Sequence, residues 1–247
     1  NKTYKTPNMQ KLSKKGIKFT NAYSTPVCSP TRISLITGMN AARHRVTNWT
    51  LMPDQKKPME LNNPNLSFPE WNYNGIGLDS LTPNAIFAKP LPLFLSENGY
   101  YTIHAGKAHF GSLGYPSSNP LNLGFHKNIA GHAAGAPGSY LGTENFGNGR
   151  KGKEVWAVPD LQKYHGQDIF LTEAISREVL IALKKPVEKH QPFFLYFSLY
   201  GIHTPLTANE HLVEPYLKMG LDEVEAKYAS MIEAMDNALG DVLNYLK

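Results

Sequence analysis

Three short segments of this 247-residue chain carry side chains that can do chemistry. The first, CSPTR, joins the thiol of Cys28 to the guanidinium of Arg32 four residues later, and the second, GKAHFG, joins the ammonium of Lys107 to the imidazole of His109. The third, HTP, begins at His203. Cys28 is the only cysteine, which excludes an internal disulfide and a CxxC metal site. Because a lone cysteine is most often a small buried apolar residue, its function must be judged from its neighbours.

The residues around Cys28 predict how its thiol is positioned. Thr6-Pro7, a cap followed by a first-turn proline, and the closing Gly16 predict a helix over 7–15. The apolar run that follows predicts a strand ending at Thr25-Pro26, with Ile17, Phe19 and Tyr23 as its apolar residues. Ser29-Pro30 then predicts a second cap and first-turn proline, for a helix that ends before Gly38. Cys28 is therefore expected on the turn between a strand and a helix.

The rest of the chain alternates helix and strand patterns. We predict helices in PLPLFLSENGY, closed by Gly99, in DIFLTEAISREVLIALKK, with Pro186 just beyond it, and over 221–246, where Asp236 is interpreted as structural. YYTIHA and PFFLYFSLY predict strands, the second buried on both faces. This alternation predicts an α/β fold with a mostly parallel sheet sandwiched by helices. Because ligands bind beyond the carboxyl ends of such strands, we expect the three segments to meet at one edge.

Composition excludes several classes of protein and leaves an unevenly distributed charge. With 41% hydrophobic and 18% charged residues, the chain can bury a sizeable core, and it is neither disordered nor collagen-like. No apolar run approaches the roughly 18 residues of a membrane span, and the first residues do not resemble a signal peptide. Residues 1–57 hold 11 of the 25 Lys and Arg residues but one of the 20 acidic residues. This basic segment indicates either an anionic partner or a solvated basic face.

The motifs resemble those of a known enzyme family. CSPTR and the following ISLITG fit the pattern C-x-P-x-R-x-x-x-x-T-G at every fixed position, and here the chain resembles the type I sulfatases. GKAHFG resembles the second signature of that family, HTP its later histidine segment, and TPNMQKLSKKGIKFTNAYS its usual approach to the cysteine. The resemblance implies an alkaline phosphatase-like α/β fold. We therefore expect 1–247 to be one partial catalytic domain, without its first strand and C-terminal part, with loop insertions at 50–85 and 112–158.

The resemblance also implies roles for the residues of the three segments. In this family the motif directs oxidation of its cysteine to formylglycine, so Cys28 is expected to be the precursor of the nucleophile. One hydroxyl of the hydrated aldehyde attacks sulfur, and the other loses its proton and expels sulfate. Arg32 would hold these hydroxyls, Lys107 would bind a sulfate oxygen, and His109 would act as the base. His203 would contact the bridging oxygen as a general acid, or contact the sulfate. Three other histidines have no motif support and are interpreted as structural or rim residues: His44, His104 and His126.

A divalent metal, Ca²⁺ or sometimes Mg²⁺, is a further implication of the resemblance. Formylglycine formed from Cys28 would be one ligand, and the remaining ligands, an Asp pair and an Asp-Asn pair, are expected outside this chain. Isolated acidic residues lack the dense spacing that a hard cation needs; they are Asp54, Asp79, Asp160 and Asp168. We therefore expect the chain to be a fragment of a longer polypeptide and to be inactive or weakly active alone.

The expected substrate is a sulfate monoester on a saccharide. Aromatic residues in the irregular stretches could form a sugar-binding rim: Trp49, Trp71, Tyr73 and Trp156. The implied protein partner is the maturase that makes formylglycine, nucleic acid is not expected, and the family is periplasmic, secreted or lysosomal. Two alternatives stay open. One is a phosphodiesterase or phosphonate monoester hydrolase that uses the same aldehyde, and the other is a non-catalytic basic module that binds an anion or nucleic acid.

Overall fold

The computed structural model describes residues 3–55, 65 and 71–247, so 56–64 and 66–70 of the predicted insertion at 50–85 lie outside the described residues. The chain divides into two compact units. We call Tyr23–Gly135 with Lys189–Phe197 the strand unit, and Asn1–Ala22, Ala136–Glu188 and Ser198–Lys247 the helix unit. Within the described residues, no helix is long and apolar enough to span a membrane.

Two small sheets lie in the described residues of the strand unit. Strands β1 (Ile76–Gly77) and β2 (Ile86–Phe87) pair in parallel. The second sheet has the order β4-β3-β5, formed by β3 (Tyr101–Gly106), β4 (Lys127–Ile129) and β5 (Phe193–Ser198), and its β3–β4 pair is parallel, with Ile103 opposite Lys127. Parallel strands need crossover connections, which fits the predicted alternation of helices and strands. The α/β class expected from the sequence is confirmed.

Three helices lie in the described part of the strand unit. They are α2 (Cys28–Thr37), α3 (Ala41–His44) and α4 (Leu91–Glu97). α4 packs against β3, and α2 packs against both α3 and α4. The side chains of Ile33 and Ile36 on α2 are buried in one apolar cluster with Phe110 and Phe125. This cluster anchors the helix that begins at Cys28.

β5 is less buried than its continuous apolar sequence predicts. All six of its residues are half-buried, whereas we expected a strand buried on both faces. β5 lies at the end of the strand order, next to β3, so within the described sheet only one of its edges is paired. The expectation was wrong because a continuous apolar run reports the hydrophobicity of a strand and not its place in the sheet.

The helix unit is built around two long helices. α5 (Leu171–Glu188) packs along α7 (Glu223–Tyr245), which also contacts α1 (Pro7–Lys15) and α6 (Glu214–Lys218). Asp222 caps α7 by accepting a hydrogen bond from the backbone N–H of Glu225. Pro186 lies inside α5, and not beyond it as predicted; a proline removes one backbone donor, and α5 continues for two more residues. The irregular stretches contain short 3₁₀ turns at Pro116–Ser118, Pro120–Leu123, Gly142–Gly147, Glu154–Trp156 and Gln162–Tyr164.

The first turn of α1 is capped from a distant part of the chain. Thr6, the predicted cap, makes no side-chain hydrogen bond there. Instead the carboxylate of Asp236 on α7 accepts hydrogen bonds from the backbone N–H groups of Asn8, at 2.9 Å, and Met9, at 2.8 Å. The Asn8 side chain donates to the same carboxylate at 2.9 Å. Asp236 is fully buried, and these contacts support its structural interpretation.

The predicted strand before Cys28 is absent from the structure. The apolar residues of that run are exposed, with Ile17 85%, Phe19 78% and Tyr23 93% accessible. No strand among the described residues pairs with this run. The expectation was wrong because apolar alternation yields a strand only where a neighbouring strand accepts its backbone hydrogen bonds.

Candidate active site

Cys28 is the first residue of α2, which places its side chain at the N-terminal end of that helix. The helix starts two residues earlier than predicted: the N-cap residue is Val27 and not Ser29, which lies inside the first turn. Gly38 ends the helix with a left-handed φ of 70°, as predicted. Cys28 is half-buried, and the positive end of the helix dipole makes this end of the helix favourable for an anion.

Lys107 brings a positive charge to Cys28. It directly follows β3, its side chain is 4% exposed, and it hydrogen-bonds the side chain of Cys28. Burial lowers the pKa of Lys107 to about 8, and the charge of Arg32 lowers it in the same direction, while Cys28 opposes the change. The predicted sulfate-binding lysine therefore lies beside the predicted nucleophile.

Arg32 ties the Cys28 helix to the Lys107 segment. Its Nη1 donates a hydrogen bond of 2.6 Å to the backbone carbonyl of Lys107. A charged donor at this distance forms a strong hydrogen bond, so the two predicted cationic residues are held at a fixed separation. Arg32 is half-buried, one helical turn after Cys28.

His109 is held from several sides in the same unit. Its backbone has a left-handed φ of 57°, and its N–H donates to the carbonyl of His132 at 3.1 Å. Its ring Nε2 lies 2.5 Å from the carbonyl oxygen of Thr50, and its buried Nδ1 has no hydrogen-bond partner. Burial lowers the pKa of His109 to about 3, and the nearby charge of Lys107 lowers it further. The ring is therefore a neutral imidazole at neutral pH.

His203 belongs to the helix unit, and its segment is fixed by Tyr140. The phenol oxygen of Tyr140 lies 2.8 Å from the carbonyl oxygen of Tyr200 and 3.0 Å from that of His203. The N–H of His203 donates to the Tyr200 carbonyl at 3.1 Å. The His203 side chain is exposed, and its Nδ1 lies 3.0 Å from the carbonyl oxygen of Thr204. Tyr140 is fully buried and stacks on Phe170.

The structure thus joins four of the five predicted site residues within the strand unit: Cys28, Arg32, Lys107 and His109. Sequence reasoning missed Thr50, His132 and Tyr140. The first two contribute backbone carbonyls, which have no sequence signal. Tyr140 lies in an irregular stretch without a periodic pattern.

The histidines without motif support have local partners. His44 Nε2 contacts the Ser34 hydroxyl at 2.9 Å, and His126 Nδ1 contacts the Thr102 hydroxyl at 2.8 Å. His104 Nδ1 contacts the side-chain oxygen of Asn128 at 3.0 Å. These contacts fit structural roles for the three imidazoles.

The residues described here do not supply the expected metal ligands. Among them, no group of three or more His, Cys, Asp and Glu side chains is placed to hold a metal ion. Asp54, one of the isolated acids, accepts hydrogen bonds from the side chains of Asn74 and Tyr115 at 2.8 and 3.1 Å. A hard cation needs several oxygen ligands, so this donor set does not fit the metal, and we derive no chemical step through it.

Comparison with known proteins finds sulfatases among the relatives of this chain. Arylsulfatase J of Mus musculus is 26% identical over 98% of this chain and 36% of its own length. N-acetylgalactosamine-6-sulfatase of Homo sapiens is 24% identical over 98% of this chain and 42% of its own length. The crystal structure of Ps i-CgsB superposes with a TM-score of 0.73 at 25% identity, over the whole chain and 50% of that protein. A second structure of Ps i-CgsB, in complex with k-i-k-neocarrahexaose, has a TM-score of 0.69 at 26% identity, over 98% of this chain and 49% of that one.

The chain therefore spans half or less of the length of these relatives. The family model named Sulfatase matches residues 1–247, which is every residue of the chain, and the chain belongs to the sulfatase family.

Proposed function

We propose that this chain carries the nucleophile and the cationic residues of a hydrolase that cleaves a sulfate monoester on a saccharide. The observation that carries the proposal is the contact of Lys107 with Cys28, together with the 2.6 Å bond from Arg32 to the Lys107 carbonyl. Two cations held beside a motif cysteine suit a substrate that bears a negative charge at sulfur.

Each predicted site residue has a task in this proposal. When Cys28 is oxidised to formylglycine, one hydroxyl of the hydrated aldehyde attacks sulfur and displaces the saccharide hydroxyl. The second hydroxyl then loses its proton and expels sulfate, which restores the aldehyde. Lys107, beside Cys28, binds a non-bridging sulfate oxygen, and Arg32 keeps the Lys107 segment in place. His109 is a neutral imidazole with a bare Nδ1, so it can accept a hydrogen bond from a hydroxyl and take its proton. His203 would protonate the leaving oxygen or contact the sulfate.

A sulfated saccharide is the substrate class that we favour. One relative is named N-acetylgalactosamine-6-sulfatase, and one similar structure is a complex with k-i-k-neocarrahexaose. Partly exposed aromatic residues are available in the strand unit for stacking on a sugar: Trp49, Trp71 and Tyr73. Trp156, the fourth predicted rim residue, lies half-buried in the helix unit. We further propose that a maturase converts Cys28 and that the protein is periplasmic, secreted or lysosomal.

The test begins with the chemical state of Cys28. The longest natural polypeptide that contains these residues is expressed with a formylglycine-generating enzyme. The mass of its tryptic peptide 19–32 is then measured by mass spectrometry. We expect an aldehyde in place of the thiol, and Ca²⁺-dependent release of sulfate from sulfated saccharides. Cys28→Ala is the control and should show neither.

Rates on sulfate, phosphate and phosphonate esters separate the alternatives. Faster turnover of phosphate diesters or phosphonates would replace the sulfatase proposal. Salt-dependent binding of nucleic acid that survives Cys28→Ala, without turnover of any ester, would favour a binding module. The 247-residue chain alone, given Ca²⁺ and an aryl sulfate, is expected to be inactive or weakly active.

A further inference from the structure

A chain of hydrogen bonds runs from the residue after Cys28 to the ring of His109. The hydroxyl oxygen of Ser29 accepts a hydrogen bond from the backbone N–H of Thr50 at 3.1 Å, and the two hydroxyls lie 3.3 Å apart. The carbonyl oxygen of Thr50 then lies 2.5 Å from Nε2 of His109. All three side chains are at most 2% exposed. Water therefore does not compete with these contacts.

This geometry decides which ring nitrogen of His109 carries the proton. A backbone carbonyl can only accept a hydrogen bond, so the proton of the neutral ring must be on Nε2. Nδ1 is then an unprotonated acceptor, and it is buried without a partner. A Cβ added to Gly135 would collide with the Nδ1–Cε1 edge of the ring, so a glycine there lets the ring occupy this position.

We propose that Ser29 and Thr50 are positioning residues that hold His109 as the Nε2–H tautomer, with Nδ1 as the nitrogen that accepts a proton from the reacting group. The catalytic part of this inference rests on the proposed function. It assigns a role to Ser29, whose place in the C-x-P-x-R pattern accepts any residue. The Ser29 hydroxyl fixes the Thr50 backbone, and the Thr50 carbonyl fixes the imidazole.

Removal of the Ser29 hydroxyl and removal of the Thr50 hydroxyl should have different effects. Ser29→Ala leaves the buried N–H of Thr50 without its acceptor, so the backbone at residue 50 is expected to shift and to move the carbonyl that holds the ring. Thr50→Val removes only the hydroxyl, keeps the backbone bond to Ser29, and is the matched control. It should leave the state of His109 unchanged.

The tautomer is measured on the chain with unmodified Cys28, so maturation and turnover are not needed. The protein is labelled with ¹⁵N at histidine, and the His109 signal is assigned as the one that disappears in His109→Phe. Long-range ¹H–¹⁵N spectra should then show the His109 proton on Nε2. We expect the Nδ1–H form to appear in Ser29→Ala and not in Thr50→Val. A proton on Nδ1 in the wild-type chain would overturn the proposal, even if Ser29→Ala fails to fold. The same conclusion follows if Ser29→Ala folds and keeps the wild-type spectrum.

Kinetics of the longest natural polypeptide test the catalytic part. Rates are divided by the formylglycine content of each variant, which removes any effect of Ser29 on maturation. We expect Ser29→Ala to lower kcat by about tenfold or more with KM within about twofold. Ser34→Ala removes a hydroxyl of the same helix that contacts Nε2 of His44 at 2.9 Å, is the kinetic control, and should match wild type. An active wild-type enzyme whose kcat does not respond to Ser29→Ala would overturn the catalytic part alone. A matured wild-type enzyme without sulfatase activity would instead count against the proposed function.

Discussion

Replacing Tyr140 with phenylalanine tests whether its hydroxyl orients the His203 segment. The variant keeps the buried ring and its stacking on Phe170, and it removes one oxygen that contacts the carbonyls of Tyr200 and His203 at 2.8 and 3.0 Å. Burial raises the pKa of Tyr140 above its ordinary value, so the phenol keeps its proton at neutral pH and donates it.

The expected loss of stability follows from the hydrogen-bond partners that the two carbonyls keep in Tyr140→Phe. The Tyr200 carbonyl keeps the N–H of His203, whereas the His203 carbonyl loses the phenol. His203 is exposed, so water can replace the lost donor at its carbonyl, and the loss of this hydrogen bond costs about 0.5–1.5 kcal/mol. With a urea dependence of about 2 kcal/mol per molar, the unfolding midpoint should fall by about 0.25–0.75 M.

Measurements of kcat distinguish a change in the orientation of His203 from a general loss of stability. If His203 contacts the leaving group or the sulfate, Tyr140→Phe should lower kcat by about tenfold, equivalent to about 1.4 kcal/mol. Tyr164→Phe is the matched control, because the Tyr164 hydroxyl donates to Glu178 at 2.7 Å and not to the His203 segment. This control should lose stability but keep kcat. Equal effects of the two variants on kcat would refute the orientation of His203 by Tyr140.

Two further predictions concern stability. Asp236→Asn should lower the free energy of unfolding by about 2–3 kcal/mol in urea titrations, because one oxygen that accepts from Asn8 becomes a donor; an unchanged value would contradict the capping of α1. Burial lowers the pKa of His104 to about 3, of His109 to about 3 and of His132 to about 4. The unfolded chain binds protons at these histidines below about pH 6.5 while the folded chain does not, so stability is lost as the pH falls from 6.5 towards 4, by up to about 1.4 kcal/mol per pH unit for each group. His104→Gln should reduce the slope of unfolding free energy against pH by the contribution of one histidine. A slope identical to that of the wild type would contradict the neutral state of His104.

Sequence patterns predicted the elements whose stability comes from nearby residues. The helix at 7–15 and the strand YYTIHA were placed within a residue of α1 and β3, because capping residues and apolar periodicity act over a few positions. The final helix was placed within two residues of α7. The motifs also identified Cys28 and Lys107, which the structure brings into contact.

Sequence patterns failed to predict features whose hydrogen-bond partner is distant in the sequence. The strand expected at 17–25 required a neighbouring strand, and the cap expected at Thr6 is replaced by Asp236. The carbonyl of Thr50 that orders His109 comes from a backbone group that every residue has. Such contacts depend on the tertiary fold, and local propensity does not encode them.

The capping of α1 by Asp236 also has a consequence during protein synthesis. A nine-residue helix is too short to be stable alone in water, and its cap lies 228 positions later. At roughly 5–20 residues per second, a ribosome takes on the order of ten seconds or more to make the residues between them. Throughout that interval the lysine-rich segment of α1 remains unstructured on the nascent chain, available to chaperones and proteases. α1 is therefore among the last elements to fold.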